Sequence, residues 1–182
     1  MTDVLQETRI DGTEVYSGRV VRLEVDRVRM PDGGDSIREV VRHRGAAVVL
    51  PILDDGRVVL VRQFRYPVGE ALLELPAGTL EPGEDPLVCA ARELTEETGY
   101  AATSVTPLGR FYAAPGYTDE RLQAVLATGL RLTDDAEPDP DEIIEVEVVT
   151  FEELVSRMET GEIRDSKTLA TILLARLRGV FG

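Results

Sequence analysis

The stretch from residue 77 to residue 100 constrains the fold most, because it joins a loop containing glycine and proline to one sharply bounded helix. Asp85 followed by Pro86 is typical of a helix start, and Gly99 is typical of a helix end. Apolar side chains recur at helical spacing between these bounds: Leu87, Ala90, Ala91 and Leu94. The pattern predicts a helix over 86–98 that packs one face against a core.

The other side of this helix concentrates negative charge. Glu93, Glu96 and Glu97 stand at i, i+3 and i+4, so their carboxylates share one side. Their mutual repulsion destabilises an isolated helix by roughly 0.2–0.5 kcal/mol per pair, and Arg92 offsets only part of it. A divalent cation would reverse the sign of this effect, because carboxylate oxygens are hard ligands that suit Mg²⁺ and Mn²⁺. The alternative interpretation is an acidic face that is simply solvated.

The rest of the chain alternates short apolar strands with a few helices. Strands are predicted over 15–29, 36–43, 46–53, 57–65, 72–75, 104–112, 120–130 and 143–149, and further helices over 152–159 and 166–177. The tight turn at 54–56 predicts that the strands on either side of it pair as a β-hairpin. Strands with helices set between them predict an α/β or α+β sandwich.

The formal net charge of −14 is concentrated in two segments. Residues 70–100 hold eight acidic side chains against Arg92 alone, and residues 134–147 hold eight more with no basic one. A nucleic-acid-binding face would need a basic stripe, and the sequence has none. No apolar run reaches the roughly 18 residues of a membrane helix, and no secretory signal is visible. With Cys89 as the single cysteine, these features predict a cytoplasmic protein whose partner is neither nucleic acid nor membrane.

The spacing around the acidic face resembles the Nudix box. Gly78, Glu84 and the run RELTEETGY at 92–100 supply every fixed polar and glycine position of that box. Tyr100 is the one departure, at a position that is usually aliphatic in the family. The resemblance implies a Nudix-type α/β/α sandwich around a mixed sheet, preceded here by a small amino-terminal β arm. It also implies Mg²⁺-dependent hydrolysis of a nucleoside diphosphate linked to another moiety, with Mn²⁺ able to substitute.

The resemblance assigns roles to the box residues. It implies four metal ligands, namely the carboxylates of Glu93, Glu97 and Glu96 and the backbone carbonyl of Ala77. Glu93 and Glu97 are the principal ligands and therefore also count as catalytic. Glu84 and Arg92 hold the loop and the helix in register, and Arg92 also orients the carboxylates.

Segments outside the box resemble the ADP-ribose pyrophosphatases. They are residues 62–65, 74–78, 114–120 and 161–166, with Pro115 placed sixteen residues after Gly99. The similarity covers most of the chain and implies cleavage of ADP-ribose to AMP and ribose 5-phosphate. Two alternatives stay open: the same chemistry on another nucleotide conjugate such as GDP-mannose or FAD, and a non-catalytic nucleotide-sensing module.

The same similarity implies contacts with the substrate. Arg65 contacts the diphosphate or the terminal ribose, and Arg44 is a similar, weaker candidate. Tyr16 stacks on the adenine, Glu120 touches a ribose, and Gly116 lies in the downstream segment that lines the substrate. The alternative interpretations are that Arg65 is a strand-end arginine facing water, that the Tyr16 ring only packs, and that Pro115 and Gly116 form an ordinary turn.

The base that activates water is expected outside the box, because carboxylates that share their charge with a cation are poor proton acceptors. The family places a glutamate on a loop before a late strand, which here is the loop 138–142 ahead of 143–149. Glu142 matches best in residue type and position, ahead of Asp141 and Asp139. A solvated acidic loop is the alternative.

The amino-terminal arm, residues 1–43, has few large apolar residues and precedes a hydrolase domain over 44–182. Because such arms exchange between subunits in ADP-ribose pyrophosphatases, the resemblance implies a homodimer in which the arm also contacts substrate. His43 is the single histidine, and without a second one we interpret it as structural. Cys89 lies beside the core face of the helix and is interpreted as packing.

Overall fold

The computed structural model describes residues 4–133 and 143–181. Ten strands and three helices lie within those ranges. The strands are β1 (Thr8–Ser17), β2 (Arg22–Arg29), β3 (Asp35–Arg42), β4 (Ala46–Pro51), β5 (Val58–Arg65), β6 (Glu70–Glu74), β7 (Ala77–Thr79), β8 (Tyr100–Tyr112), β9 (Arg121–Leu132) and β10 (Ile144–Val149). The helices are α1 (Pro86–Thr98), α2 (Phe151–Glu159) and α3 (Ser166–Leu177).

The described residues form two compact units. The amino-terminal unit holds the described part of Met1–Gly45 together with Tyr112–Arg121. The core unit holds Ala46–Phe111 and the described part of Leu122–Gly182. The segment 112–121, which contains the predicted substrate contacts Gly116 and Glu120, thus groups with the amino-terminal strands, although it lies far from them in sequence.

The amino-terminal unit is an antiparallel sheet in the order β1-β2-β3. The single strand predicted over 15–29 is wrong: the chain turns between β1 and β2, where the Gly18 N–H donates to the Val21 carbonyl at 2.9 Å. Residues 8–14, for which no strand was predicted, belong to β1. Every residue of β1 is exposed, so the strand has no alternation of apolar and polar positions that the sequence could reveal.

The core unit contains two sheets, ordered β10-β5-β6 and β7-β4-β9-β8. The second sheet is mixed, because β4 pairs parallel with β9 and antiparallel with β7. The hairpin predicted for the strands around 54–56 forms only next to the turn: Ile52 and Val58 make one antiparallel bridge, but β4 and β5 belong to different sheets. The turn itself forms, with the Leu53 N–H bonded to the Arg57 carbonyl at 2.9 Å. Because β9 and β7 take the two edges of β4, no edge is left for β5.

The helix α1 has the bounds that the sequence predicts. The Asp85 side chain accepts from the Leu87 N–H at 2.8 Å, and Gly99 ends the helix in the left-handed region with φ of 72°. Its apolar side packs against β4 and β7 in a buried cluster that includes Cys89 and Leu94. The helices α2 and α3 also form where predicted, each with an N-cap side chain. The predicted combination of helices, a mixed sheet and an amino-terminal β arm is confirmed.

None of the helices in the described parts of the chain is long and apolar enough to cross a membrane.

Candidate active site

The candidate site lies where β7 and the loop after it meet α1. Gly78, in β7, lies so close to α1 that a Cβ atom at this position would overlap the Glu93 carboxylate. Any residue other than glycine would therefore push this side chain or the strand away. The first glycine of the box is thus required by the close approach of the Gly78 backbone to an acidic side chain.

Arg92 binds three carboxylates at once. Its Nε and Nη2 donate to the two oxygens of Glu84 at 3.0 and 3.1 Å, which ties the loop to the helix. Its Nη1 donates to Glu93 Oε1 and Glu96 Oε2, both at 2.8 Å. The hydrogen bond to Glu84, followed by the nearby Glu93 charge, raises the pKa of Arg92 despite partial burial. We call these four residues the Arg92 network.

Glu93 and Glu97 are the two carboxylates of α1 that face inward, with 9% and 8% of their surface exposed. The Ala77 N–H donates to Glu97 Oε2 at 3.1 Å, so the backbone of β7 is in direct contact with the end of the acidic face. The structure therefore brings Ala77, Glu93, Glu96 and Glu97, the four predicted metal ligands, into one region at the junction of β7 and α1.

The donor set suits a hard divalent cation. One guanidinium in the Arg92 network faces three carboxylates, and Glu97 adds a fourth negative charge beside it. Within residues 4–133 and 143–181, no three acidic, histidine or cysteine side chains converge into a preformed ion site. The residues fit Mg²⁺ by charge and ligand type, and the ion itself stays a prediction.

Arg65 lies at the end of β5 and binds a carboxylate that sequence reasoning missed. Its Nε and Nη2 donate to Glu74 Oε1 and Oε2 at 3.0 and 2.6 Å, and Lys167 Nζ donates to Glu74 Oε2 at 2.5 Å. Glu74 is only 1% exposed. The signals that could have indicated this contact are an isolated glutamate in an apolar strand and the single lysine of the chain.

The other four predicted substrate contacts belong to the amino-terminal unit. Tyr16 is 59% exposed, so it does not pack in a core. Arg44 lines a pocket of about 340 Å³ in this unit, together with Ser17, Gly18, Arg19, Val20, Arg22, Arg42, His43 and Asp119. Gly116 lies in the turn at 114–118, where the Tyr117 N–H donates to the Ala114 carbonyl. Their contacts with substrate stay predictions.

His43 and Cys89 occupy structural positions. His43 Nδ1 accepts from the Gly45 N–H at 3.0 Å and lies 3.6 Å from Glu120 Oε1, so the ring braces the segment before β4. Burial raises the pKa of the Cys89 thiol to about 12, with nearby carboxylates adding to the effect. A thiol in that state is not a nucleophile at neutral pH. The predicted base Glu142 and its alternatives Asp139 and Asp141 lie outside the described residues.

Comparison with known proteins identifies the family. The NUDIX domain model matches residues 41–172. The ADP-ribose pyrophosphatase of Bacillus subtilis (strain 168) is 41% identical over 175 residues, which cover 96% of this chain and 95% of the relative. The chain therefore belongs to the NUDIX domain family and is a Nudix hydrolase. The resemblance seen in the box is confirmed.

The chain is also similar to proteins that are not named as ADP-ribose pyrophosphatases. The methanol dehydrogenase activator of Bacillus methanolicus is 39% identical, covering 98% of this chain and 97% of the relative. The GDP-mannose pyrophosphatase of Yersinia enterocolitica serotype O:8 is 36% identical, covering 82% of this chain and 84% of the relative. A solved structure of an ADP compounds hydrolase matches with a TM-score of 0.84 at 23% identity, covering 97% of both chains, and so shares the fold.

Replacing Glu84 with glutamine tests the Arg92 network. The hydrogen bond to Arg92 lowers the pKa of Glu84, so its ionised form contributes stability above the unfolded-state pKa, and that contribution is lost as pH falls through the lower folded-state pKa. We expect urea denaturation at pH 7 to show a loss of about 1–3 kcal/mol in Glu84→Gln, because a charged hydrogen-bond acceptor is removed.

The difference between the wild-type protein and Glu84→Gln should begin to shrink as the pH falls below about 4, where the unfolded state takes up a proton, and should vanish below the lower pKa of the folded state. Glu81→Gln is the matched control: this exposed carboxylate lies three residues away on the same loop and should have no effect. Equal stability of the wild-type and Glu84→Gln proteins at pH 7 would contradict the assigned role of Glu84.

Proposed function

We propose that the chain hydrolyses the diphosphate of ADP-ribose to AMP and ribose 5-phosphate in an Mg²⁺-dependent reaction. The observation that carries the proposal is the complete box, in which buried Glu93 and Glu97 lie against the β7 backbone and Arg92 binds the neighbouring carboxylates. The choice of ADP-ribose is supported by the relative that is 41% identical over nearly the whole chain.

Four groups would hold the ion: the carboxylates of Glu93, Glu97 and Glu96 and the Ala77 carbonyl. Bound Mg²⁺ supplies charge stabilisation at the phosphorus centre and lowers the pKa of water. Arg92 orients the Glu93 and Glu96 carboxylates through its hydrogen bonds at 2.8 Å. A diphosphate is itself an anion, so the excess negative charge of the box would repel it unless cations lie between them.

Arg65 would bind the diphosphate. Burial disfavours its charged form, but the hydrogen bond to Glu74 and the nearby charges of Glu74, Glu97 and Asp165 raise its pKa overall, so the guanidinium stays positive. Its hydrogen bonds to Glu74 use Nε and Nη2, so that carboxylate does not occupy the N–H groups of Nη1.

The remaining roles are proposed from the family resemblance. Tyr16 would stack on the adenine, Glu120 would bind a ribose, and Arg44 and Gly116 would line the substrate. Glu142 would act as the general base, with Asp141 as the alternative in the same loop. A homodimer would place the amino-terminal arm, 1–43, of each subunit against the other.

A second candidate substrate is GDP-mannose, favoured by the relative of that name at 36% identity. FAD belongs to the same class of nucleotide conjugate. The base and the sugar would be recognised outside the box, so the same catalytic residues serve any of these substrates. A sensing module without turnover is disfavoured, because every carboxylate of the box is present.

The decisive assay measures AMP or GMP release from ADP-ribose, GDP-mannose and FAD with and without Mg²⁺. We expect ADP-ribose to have the highest kcat/KM and turnover to require the metal. Glu97→Gln should lower turnover by about 10²-fold or more, because it removes a charge needed for metal binding. Glu81→Gln, on the same loop but exposed, is the control and should retain activity.

Three outcomes would contradict parts of this proposal. A preference for GDP-mannose or FAD would change the substrate and leave the chemistry intact. Near-normal turnover of Glu97→Gln at saturating Mg²⁺ would show that the metal ligands are wrong. No release from any substrate would favour the sensing module.

Glu142→Gln tests the proposed base. The substitution should lower kcat with little change in the Mg²⁺ or substrate concentration for half-maximal rate, because it removes a proton acceptor and no ligand. The fall in rate at acidic pH should also disappear. Asp135→Asn, in the same acidic segment, is the control. A larger loss in Asp141→Asn would place the base at Asp141, and no loss in either would exclude this loop as its source.

Sedimentation equilibrium tests the proposed dimer. We expect a mass of twice the 20.0 kDa chain at micromolar concentration, and a chain lacking residues 1–43 should lose the association. A compact monomer over the same concentration range would contradict the exchange of arms.

A further inference from the structure

A buried carboxylate at the end of β6 lies between two cations from different elements. Glu74 accepts from Arg65, on β5, at 2.6 Å and from Lys167, in the first turn of α3, at 2.5 Å. Glu74 is 1% exposed, and the Lys167 side chain is 16% exposed. Burial of a charged carboxylate is costly without compensation, so this position depends on its cationic partners.

The charges of this group balance. Lys167 Nζ also lies 3.0 Å from Asp165 Oδ2, so two cations face two carboxylates. We call Glu74, Arg65, Lys167 and Asp165 the Glu74 cluster. Of the two cations, Arg65 is the more exposed, with 34% of its side chain accessible. Because Lys167 shares the neutralisation of Glu74, the guanidinium of Arg65 retains positive charge that can act on an anion outside the cluster.

Two backbone N–H groups just after Glu74 bond to side chains of α3 and of the box helix α1. The Leu75 N–H donates to Thr168 Oγ1 at 2.9 Å, and the Thr168 hydroxyl donates to Asp165 Oδ2 at 2.7 Å. Two residues after Leu75, the Ala77 N–H donates to Glu97 at 3.1 Å. The segment that follows the buried carboxylate is therefore attached to α3 at Leu75 and to the acidic face of α1 at Ala77.

We propose that Glu74 and Lys167 are positioning residues of the diphosphate site: Glu74 fixes the guanidinium of Arg65 beside the box, and Lys167 neutralises Glu74 so that Arg65 remains available to the substrate. This inference rests on the proposed function, in which Arg65 binds the diphosphate. Lys167 acts through Glu74 and does not itself touch the substrate. The pair thus sets affinity for the diphosphate and leaves the chemical step to the box and the base.

Substitution of Lys167 separates this role from a purely structural one. In Lys167→Met, Glu74 keeps Arg65 as its cationic partner in the cluster, and its uncompensated charge weakens the attraction of Arg65 for a phosphate. We expect KM for ADP-ribose to rise by about tenfold or more with kcat within about threefold, the pattern of lost binding that the ground state and the transition state share. Lys167→Arg keeps the charge and should restore KM to within about threefold of the wild-type value.

The double variant Glu74→Gln with Lys167→Met tests whether a higher KM in Lys167→Met comes only from lower stability of the fold. It removes both charges of the pair, so its melting temperature should exceed that of Lys167→Met, where a buried carboxylate loses a partner. Its KM should nevertheless stay high, because Arg65 has lost its anchor. A structural role alone predicts that KM recovers together with stability. Arg57→Met, at the exposed turn before β5, is the control for loss of a surface cation.

The single lysine provides a spectroscopic measurement. Protein labelled with ¹⁵N,¹³C-lysine gives one side-chain signal, from Lys167. Glu74→Gln should shift this signal, which checks the ion pair in solution. Addition of α,β-methylene ADP-ribose with Mg²⁺ should move the signal in the wild-type protein and leave it nearly unmoved in Glu74→Gln, because the effect passes through that carboxylate.

The outcomes distinguish this inference from the proposed function. Wild-type turnover with unchanged KM in both Lys167→Met and the double variant would overturn the positioning role and leave the function intact. A Lys167 signal that does not respond to the analogue in the wild-type protein would do the same. Absence of wild-type turnover on every nucleotide conjugate would overturn the function and this inference together.

Discussion

The hydrogen bonds of Arg92 are the interaction on which the candidate site depends. A single guanidinium binds Glu84 from the loop and both Glu93 and Glu96 from the helix. Without Arg92, the carboxylates of Glu84, Glu93 and Glu96 would lie together with no cation of α1 to reduce their repulsion. The planar donor geometry of arginine allows this sharing, because Nε and Nη2 serve one carboxylate while Nη1 serves two others.

Local signals made α1 predictable, whereas the pairing of strands distant in sequence limited what could be predicted of the rest of the fold. Asp85 and Gly99 act within one turn of the helix ends that they define, so the sequence gives both bounds correctly. The turn at 54–56 is also local and forms as predicted, but the neighbours of β4 come from β7 and β9. Turn chemistry cannot reveal that choice of partners, because it depends on distant segments: Ala46 pairs with Leu122, which lies 76 residues further along the chain.

In the candidate site too, contacts between residues close in sequence were predictable and contacts between distant residues were not. The predicted box residues lie together because their spacing is a property of one loop and one helix. The pairing of Glu74 with Lys167 was missed, because it joins residues 93 positions apart. Their sequence features had physical meaning all the same: a glutamate inside an apolar strand needs a partner, and Lys167 was the one lysine available to provide it.

The two ion networks differ in charge balance, and this difference decides what each can bind. The Arg92 network has three carboxylates on one guanidinium, so its unmet charge is negative and suits a cation. The Glu74 cluster is balanced, and its most exposed cation is Arg65, so it suits an anion. A magnesium diphosphate presents both charges in one ligand, with the metal and the phosphate oxygens side by side. Because the Ala77 N–H bonded to Glu97 lies three residues beyond Glu74, the backbone of one short segment joins the Glu74 cluster to the acidic face of α1. The proposed substrate therefore matches the arrangement of charge as well as the composition of the box.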